Sequence, residues 1–502
     1  MRKQFFIFGI TVLLIASITA YYYKYSIFFP LTILLIIVVG ITNTFQKKHA
    51  ILRNFPVLGY FRYLFEFISP EIQQYFIERS TDGKPFSRNQ RSLAYQRAKN
   101  IDATTPFGTQ LDINTSSYEG IKHSIYPAKV NSALPRIVVG GPDCKQPYSA
   151  SLLNISAMSF GSLSENAIVA LNKGAAKGSF YHNTGEGGLT EFHLQGGDVT
   201  WQIGTGYFGC RDDEGNFSAE KFEIKANNPL VKMIEIKLSQ GAKPGHGGVL
   251  PAAKNTELIA KIRDVKPFVT ILSPPGHSAF SDAKGLVNFV AKLRELSKGK
   301  PIGFKLCIGQ TQEFEAICQE MIAQNCFPDF ITVDGAEGGT GAAPLEFSDG
   351  VGMPLEPALI FVNKTLVNFN IRNKIRVIAS GKIISGYSIL RAIALGADMC
   401  NSARGFMFSL GCIQALRCNN NQCPTGVATQ DKMLMKGLAV TDKSERVYHF
   451  HKNTLHAANE LLAAAGKNSF SEVDINIFMR GDEFTKLSDL YFPDILQNVT
   501  RE

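Results

Sequence analysis

The stretch 330-FITVDGAEGGTGAAP-344 opens with an apolar, β-branched and aromatic run and breaks at Asp334 into a loop built on Gly335, Gly338, Gly339 and Gly341. Phe, Ile, Thr and Val in sequence favour a strand, and the Asp-Gly cluster ends it. Glycines directly after a strand let the backbone approach a ligand closely and aim N–H groups at an anion. The same punctuation recurs outward along the chain. An apolar run at 152–157 opens into Ser159-Phe160-Gly161-Ser162, and one at 377–379 opens into Ser380-Gly381-Lys382. Further strand candidates lie at 269–272, 303–306 and 399–403, with helical periodicity at 165–177, 256–264, 283–298, 312–324, 357–369 and 388–395. Strand-then-helix units over residues 138–466 mean a parallel sheet. The expected fold class is α/β, a (β/α)8 barrel, with a doubly wound open sheet as the alternative.

The chain has 502 residues, a formal charge of +9 and nine cysteines. The basic residues are scattered, so no nucleic-acid partner is expected. So few cysteines in so long a chain do not make a disulfide scaffold, which points to a reducing compartment. Residues 5–22 and 27–41 are almost wholly apolar and are joined by a link holding Lys24. Each is close to a bilayer-spanning length. Arg2 and Lys3 precede them and Lys47, Lys48 and Arg53 follow. The positive-inside rule then gives a transmembrane hairpin over 1–45 with both ends in the cytoplasm, so the catalytic domain would face the cytoplasm from the cytoplasmic membrane. A secretory signal ending in the small residues of 16–20 is the rival reading. Residues 46–134 read as an amphipathic segment and wrap. Its aromatic stretch 51–79 suits either an interfacial helix or a packed one. Residues 135–466 form the expected barrel and 467–502 a C-terminal extension.

No G-x-G-x-x-G follows a strand near an acidic ribose-binding residue, and there is no P-loop, so a mononucleotide such as FMN suits the glycine loops better than a dinucleotide. The sharpest motif is Cys412-x5-Cys418-x4-Cys423-Pro424 in a polar setting. Three thiolates suit a three-iron cluster. Structural zinc, which usually takes four ligands, is the rival. Two further loops present charge among glycines: Gln240-Gly241-Ala242-Lys243-Pro244-Gly245-His246-Gly247-Gly248, with Lys237 just before it, and Asn183-Thr184-Gly185-Glu186-Gly187-Gly188.

Together with Ser159 to Ser164, Ser273-Pro274-Pro275, residues 338–344 and residues 411–430, these motifs occur in this order in glutamate synthase. The chain resembles that family's FMN-binding synthase region over roughly 135–465, and more closely its stand-alone glutamate synthase-like members. The resemblance implies a barrel holding FMN beside a [3Fe-4S] cluster on Cys412, Cys418 and Cys423. It implies Met158 and Ser159 against the flavin ring, Lys243 near its N1 and O2, and Gly338, Gly339, Thr340, Gly381, Ala403 and Arg404 around the phosphate. It implies that Lys237 and Arg263 grip substrate carboxylates beside Ser273, that Glu186 moves a proton or orients ammonia, and that His277 assists.

The implied reaction is reductive amination of 2-oxoglutarate, through 2-iminoglutarate, to L-glutamate. Neither the family's N-terminal-Cys glutaminase region nor its glycine-rich β-helix region is expected here, so the ammonia would be external. The family's Gln and Glu near the substrate are Val249 and His246 in this chain. A different keto or imino acid is therefore the alternative, and a membrane-bound electron-transfer or redox module without glutamate synthesis is another. The electron donor would be ferredoxin, a reductase subunit or a quinol.

Overall fold

Short runs of Val, Ile, Phe and Met recur in the second unit of the chain, each able to bury both faces of a strand, and they set its architecture. The computed structural model describes residues 2–23, 27–481 and 485–486. Lys24 and the expected extension at 482–484 and 487–502 lie outside the described residues. The chain divides into two compact units, Met1–Pro85 and Phe86–Glu502.

In the second unit eight parallel strands close into a barrel: β1 Leu153–Ile155, β2 His182–Asn183, β3 Val199–Ile203, β4 Val231–Lys237, β5 Ile302–Leu306, β6 Phe330–Asp334, β7 Arg376–Ser380 and β8 Met399–Ser402. Each strand pairs with its neighbours in chain order, and β8 returns to β1 through Cys400↔Leu153, Asn401↔Asn154 and Ser402↔Ile155. Closure removes every free edge. Helices Glu165–Gly178, Ala219–Ala226, Ala283–Leu296, Thr311–Ala323, Leu355–Asn368 and Gly386–Ala394 lie along the connections. A hairpin of Arg136–Val139 with Tyr148–Ser151 precedes β1.

The long helix Val440–Ala464 comes very close to its neighbours. A Cβ on Gly174 would collide with Val447, and one on Gly386 would stand 2.5 Å from Ala458 N. Before the barrel, helix Arg88–Ala98 starts at Ser87, whose hydroxyl accepts from Gln90 N while Gln90 reaches back to Ser87 N, a capping box.

The barrel expectation holds, with corrections at the strand level. The run at 269–272 is not a barrel strand. Only Ile271–Leu272 is extended, and it pairs antiparallel with Val249–Leu250 in a hairpin of the β4–β5 connection. The barrel positions left open are filled by β2, β3 and β4. Their sequences carry Asn183, Gln202, Glu235 and Lys237, all buried. Asn183 Nδ2 and Gln202 Nε2 donate to Glu235 Oε1 at 2.9 and 2.6 Å, and Thr332 Oγ1 on β6 donates to Oε2 at 2.6 Å. β4 and β6 are not neighbours, so this carboxylate lies across the barrel interior. A polar lumen masks the apolar signature of those strands.

In the first unit, helices Arg2–Tyr22 and Phe28–Phe45 pack together at glycines: a Cβ on Gly40 would collide with the Phe5 ring, and one on Gly9 would lie 3.2 Å from Ile37 Cγ1. By length and composition both could cross a membrane. Helix Gly59–Ile72 follows and is tied to the second apolar helix by Tyr60 OH donating to Asn43 Oδ1 at 2.9 Å. Phe61, Leu64, Phe65 and Phe67 on it are exposed.

Candidate functional site

The strand carboxyl ends open into a cavity that is continuous with solvent. Loops after β1, β4, β6, β7 and β8 line it, contributing Ser156, Ala157, Gln240, Gly338, Gly339, Gly381, Lys382, Ala403 and Arg404. Its floor is a charge network. Asp334 Oδ1 accepts from Ser380 Oγ at 2.9 Å and Oδ2 from Gly241 N at 3.1 Å, with Lys305 Nζ 3.7 Å away. Gly241 is required there, since a Cβ would run into Gly335 O. At the other end, Arg404 opens helix Arg404–Leu410 directly after β8 and donates from Nη2 to Glu337 O at 2.5 Å. The glycine loop lies flat on its guanidinium: a Cβ on Gly339 would stand 3.1 Å from Nη1. Phe86, fully buried, forms part of the wall.

A second polar cluster is built on the loops after β2 and β4. Lys237 Nζ, at the end of β4, pairs with Glu186 Oε1 at 2.6 Å. Burial works against the Glu186 carboxylate, but Lys237 by charge and hydrogen bond, then Lys243 and Arg263, hold it below the usual range, so it is ionised at neutral pH. Burial likewise lowers Lys237, and Glu186 opposes it. Backbone crowds this carboxylate. A Cβ on Gly204 would fall 2.6 Å from Oε2, and one on Gly248 would fall 2.8 Å from Oε1 and 3.0 Å from Ser273 Oγ. Arg263 is buried beside it, donating from Nη2 to Phe160 O at 3.0 Å. Lys243 Nζ donates to Ala342 O at 2.9 Å, and burial brings its pKa down to about 8.

His277 supports the cluster from behind. Tyr207 OH accepts from Ala279 N at 3.1 Å and so donates to His277 Nδ1 at 3.0 Å, which leaves Nε2–H to donate to Lys237 O at 2.9 Å. Burial holds this imidazole neutral, at about 4.

The cysteine loop packs on both sides of this region. Ser164 Oγ donates to Gly426 O at 2.7 Å, Gln430 Nε2 donates to Gly161 O and Leu163 O at 3.2 and 2.8 Å, and Tyr95 OH donates to Cys412 O at 2.6 Å. A Cβ on Gly341 would touch Cys418 Cβ at 3.4 Å, so the loop adjoins the glycine loop after β6. Burial raises Cys412 to about 12. At Cys423 burial also acts upward, but the Thr425 hydroxyl, 3.5 Å away, and the N–H groups of Ala428, Thr425 and Val427 bring it below the ordinary thiol value. Lys254, buried, donates to Ser162 O at 2.9 Å, and its charge is felt by Cys418 and Cys423. Among the described residues no carboxylate pairs with it, and the three thiols do not form a metal-ligand group as they stand.

Of the residues singled out from sequence, the structure brings Gly338, Gly339, Gly381, Ala403 and Arg404 together in the cavity, and Glu186, Lys237, Ser273 and Arg263 in the second cluster. Met158, Ser159, Thr340 and Lys243 stand outside the cavity lining; Met158 and Ser159 pack against Gly185 and Gly187. Asp334, Ser380 and Lys382 belong to the glycine clusters that the sequence pointed to, without a role of their own. Lys305, Phe86 and Lys254 were not singled out. Lys305 sits near the end of β5, and Phe86 and Lys254 carry no local signal.

Residues 136–468 match the family model described as the conserved region in glutamate synthase. The chain belongs to the glutamate synthase family. Relatives include the glutamate synthase large subunit-like protein YerD of Bacillus subtilis, 39% identical over 84% of this chain and 88% of its own length. The archaeal glutamate synthase [NADPH] of Methanocaldococcus jannaschii is 35% identical over 64% of this chain, which spans 60% of that protein. The glutamate synthase [NADPH] large chain of Azospirillum brasilense is 30% identical over 63% of this chain and 20% of its own length. Among solved structures a mutant flavocytochrome b2 with pyruvate bound aligns at 13% identity and a TM-score of 0.44, over 88% of this chain and 91% of that one. This glutamate synthase-family chain is an oxidoreductase on a closed parallel barrel.

Proposed function

We propose that the chain is an FMN- and iron–sulfur-dependent oxidoreductase that aminates 2-oxoglutarate reductively, through 2-iminoglutarate, to L-glutamate with external ammonia. The buried Lys237–Glu186 pair beside Ser273 and Arg263 carries this reading, because a relay of electrons alone has no use for cations arranged to hold a carboxylate.

The cavity suits FMN. Gly338, Gly339 and Gly381 offer backbone without side chains, Ala403 and Arg404 stand at a helix start, and Lys305 supplies a cation at the floor. Met158, Ser159, Thr340 and Lys243 border the site by resemblance, outside the cavity lining. FMN supplies hydride chemistry and a three-iron cluster supplies single-electron chemistry. For the cluster the cysteine loop offers three cysteines, N–H groups directed at Cys423 and the buried ammonium of Lys254, with which no carboxylate pairs among the described residues.

Lys237 and Arg263 would bind the substrate carboxylates, and Ser273 Oγ would orient one of them. Glu186, ionised and crowded by Gly204 and Gly248, would accept a proton from the incoming ammonia nitrogen. His277 fixes the Lys237 backbone through Nε2–H.

A second reading, another keto or imino acid, rests on the β4–β5 hairpin. Val249 follows Gly248, which abuts Glu186, and has no donor where the family has Gln. His246 turns its ring edge-on to Phe347 at 5.2 Å. The hairpin 1–45 would anchor the barrel domain to the cytoplasmic membrane, with ferredoxin, a reductase subunit or quinol as donor.

Anaerobic turnover of the full chain in detergent, with a reduced viologen as donor, tests the proposal. Glutamate formed from 2-oxoglutarate and ammonia by a protein carrying flavin and iron supports it. A protein with both cofactors that aminates only another keto acid would establish the second reading. A protein without flavin or iron would overturn both.

A further inference from the structure

The wall of the cavity is not made by the barrel alone. Phe86, the first residue of the second unit, is fully buried and lines the cavity beside Gly338, Gly339, Gly381, Lys382 and Arg404. It lies outside residues 136–468, the family's conserved region.

Its backbone is held on both sides. Phe86 N donates to Gln414 Oε1 at 3.2 Å, and Phe86 O accepts from Gln414 Nε2 at 3.3 Å and Arg91 Nη1 at 2.7 Å. Its ring meets Phe408 edge-on at 5.2 Å. Two cations use the same ring: Arg404 Cζ lies 4.8 Å from the centroid and Lys382 Nζ 5.9 Å.

A ring face attracts a guanidinium but accepts no ordinary hydrogen bond. Arg404 is thus held against the ring, with Nη2 donating to Glu337 O and its side chain lining the cavity. Holding a long cation in place before a ligand arrives removes the ordering cost from the binding step. A planar fork of donors fixed in this way suits a dianionic phosphate more than a neutral group.

We propose that Phe86 is a phosphate-positioning residue: by stacking under Arg404 and Lys382 it sets the preference of this cavity for a phosphorylated flavin over the unphosphorylated one. The inference rests on reading the cavity as an FMN site. It makes the segment just before helix Arg88–Ala98 part of the cofactor site.

The test titrates the flavin-stripped full chain, in detergent, with FMN and with riboflavin, reading flavin fluorescence. The wild type should prefer FMN. Phe86→Leu, which keeps apolar bulk but removes the ring face, and Phe86→Ala should each weaken FMN about tenfold while riboflavin stays within about twofold. Arg404→Met should do the same, and Phe86→Leu combined with Arg404→Met should lose less than the sum of the two single losses, the remainder being the share that runs through Lys382. Equal weakening of both flavins, full FMN affinity in Phe86→Leu, or additive losses in the double variant would each overturn the proposal. A wild type that binds neither flavin would instead overturn the FMN reading itself.

Discussion

Lys237 and Glu186 are two opposite charges held in contact where water is largely excluded. Removing one partner leaves the other charge buried without compensation, which typically costs about 3–5 kcal/mol, whereas removing both costs much less. Lys237→Met and Glu186→Gln should therefore each lower the denaturation midpoint of the full chain markedly, and the double variant should recover part of the loss. Two nearly neutral single variants would mean that the pair is solvated. Lys254 is a different case, a buried ammonium facing cysteines. A positive charge near a cluster favours its reduced, more negative form. If the proposed cluster is bound, Lys254→Met should therefore lower its reduction potential in an EPR-monitored titration, by about 59 mV if the equilibrium moves tenfold. Lys254→Arg should stay near the wild type, and an unchanged potential in Lys254→Met would separate this lysine from the cluster. Glu186 and Lys243 stood out in the sequence because glycines surround them. Lys254 and Phe86 did not, because a lysine in 252-AAKN-255 and a phenylalanine in 84-KPFS-87 look like any others until the fold brings them to a thiol loop and a cavity.

At the scale of elements, the glycines that crowd Glu186 do the positioning. A Cβ at Gly204, directly after β3, would fall 2.6 Å from Glu186 Oε2 and 2.7 Å from its Cβ, inside any tolerable contact. Gly204→Ala should therefore displace the carboxylate and weaken keto-acid binding at least about tenfold. The lost binding would be read as a missing perturbation of the flavin spectrum, with flavin content unchanged because the cavity lies on other loops. A variant that loses flavin as well would show that the two clusters are one mechanical unit. The elements themselves were legible unevenly. β5, β6 and β7 are buried apolar strands followed by helices, and their sequences say so. β2 is only His182–Asn183, and β4 carries Glu235 and Lys237 between apolar residues because one side of it faces a polar lumen, while Lys232, partly exposed, pairs with Asp198 instead. The run at 269–272 misled for the opposite reason: it is apolar enough for a barrel strand but serves as a hairpin edge, with Leu272 exposed.

At the scale of the whole molecule, stability should depend steeply on acid. His182, His193, His277 and His451 are held neutral chiefly by burial: His277 at about 4, His193 and His451 at about 3, and His182 well below its ordinary value. They are spread over the fold. His182 and His193 face each other at 5.2 Å beside β2, His277 braces the loop after β4, and His451 stacks on Phe180 at 3.9 Å from the helix Val440–Ala464. In the unfolded chain each would take a proton near 6.5. Their folded pKa values are depressed, so the stability they contribute is fully present above 6.5. It is lost as pH falls through the window from 6.5 to about 4 for His277, and on to about 3 for His193 and His451. In the middle of that window the unfolded state holds four more protons than the folded one from these groups. Each proton contributes about 1.4 kcal/mol per pH unit, so the slope approaches about 5 kcal/mol per unit. A domain's whole stability is typically about 5–15 kcal/mol, so unfolding is expected within a few pH units below 6.5. Glu186, also depressed, acts in the same direction lower down. Denaturant midpoints of the full chain should stay nearly level from pH 7.5 to about 6.5 and then fall, approaching this slope by pH 5, and His451→Gln should reduce it by about one proton. A midpoint flat over that range would mean that the imidazoles take up protons in the folded state, through water or local opening, and that the barrel's interior is less sealed than its packing shows.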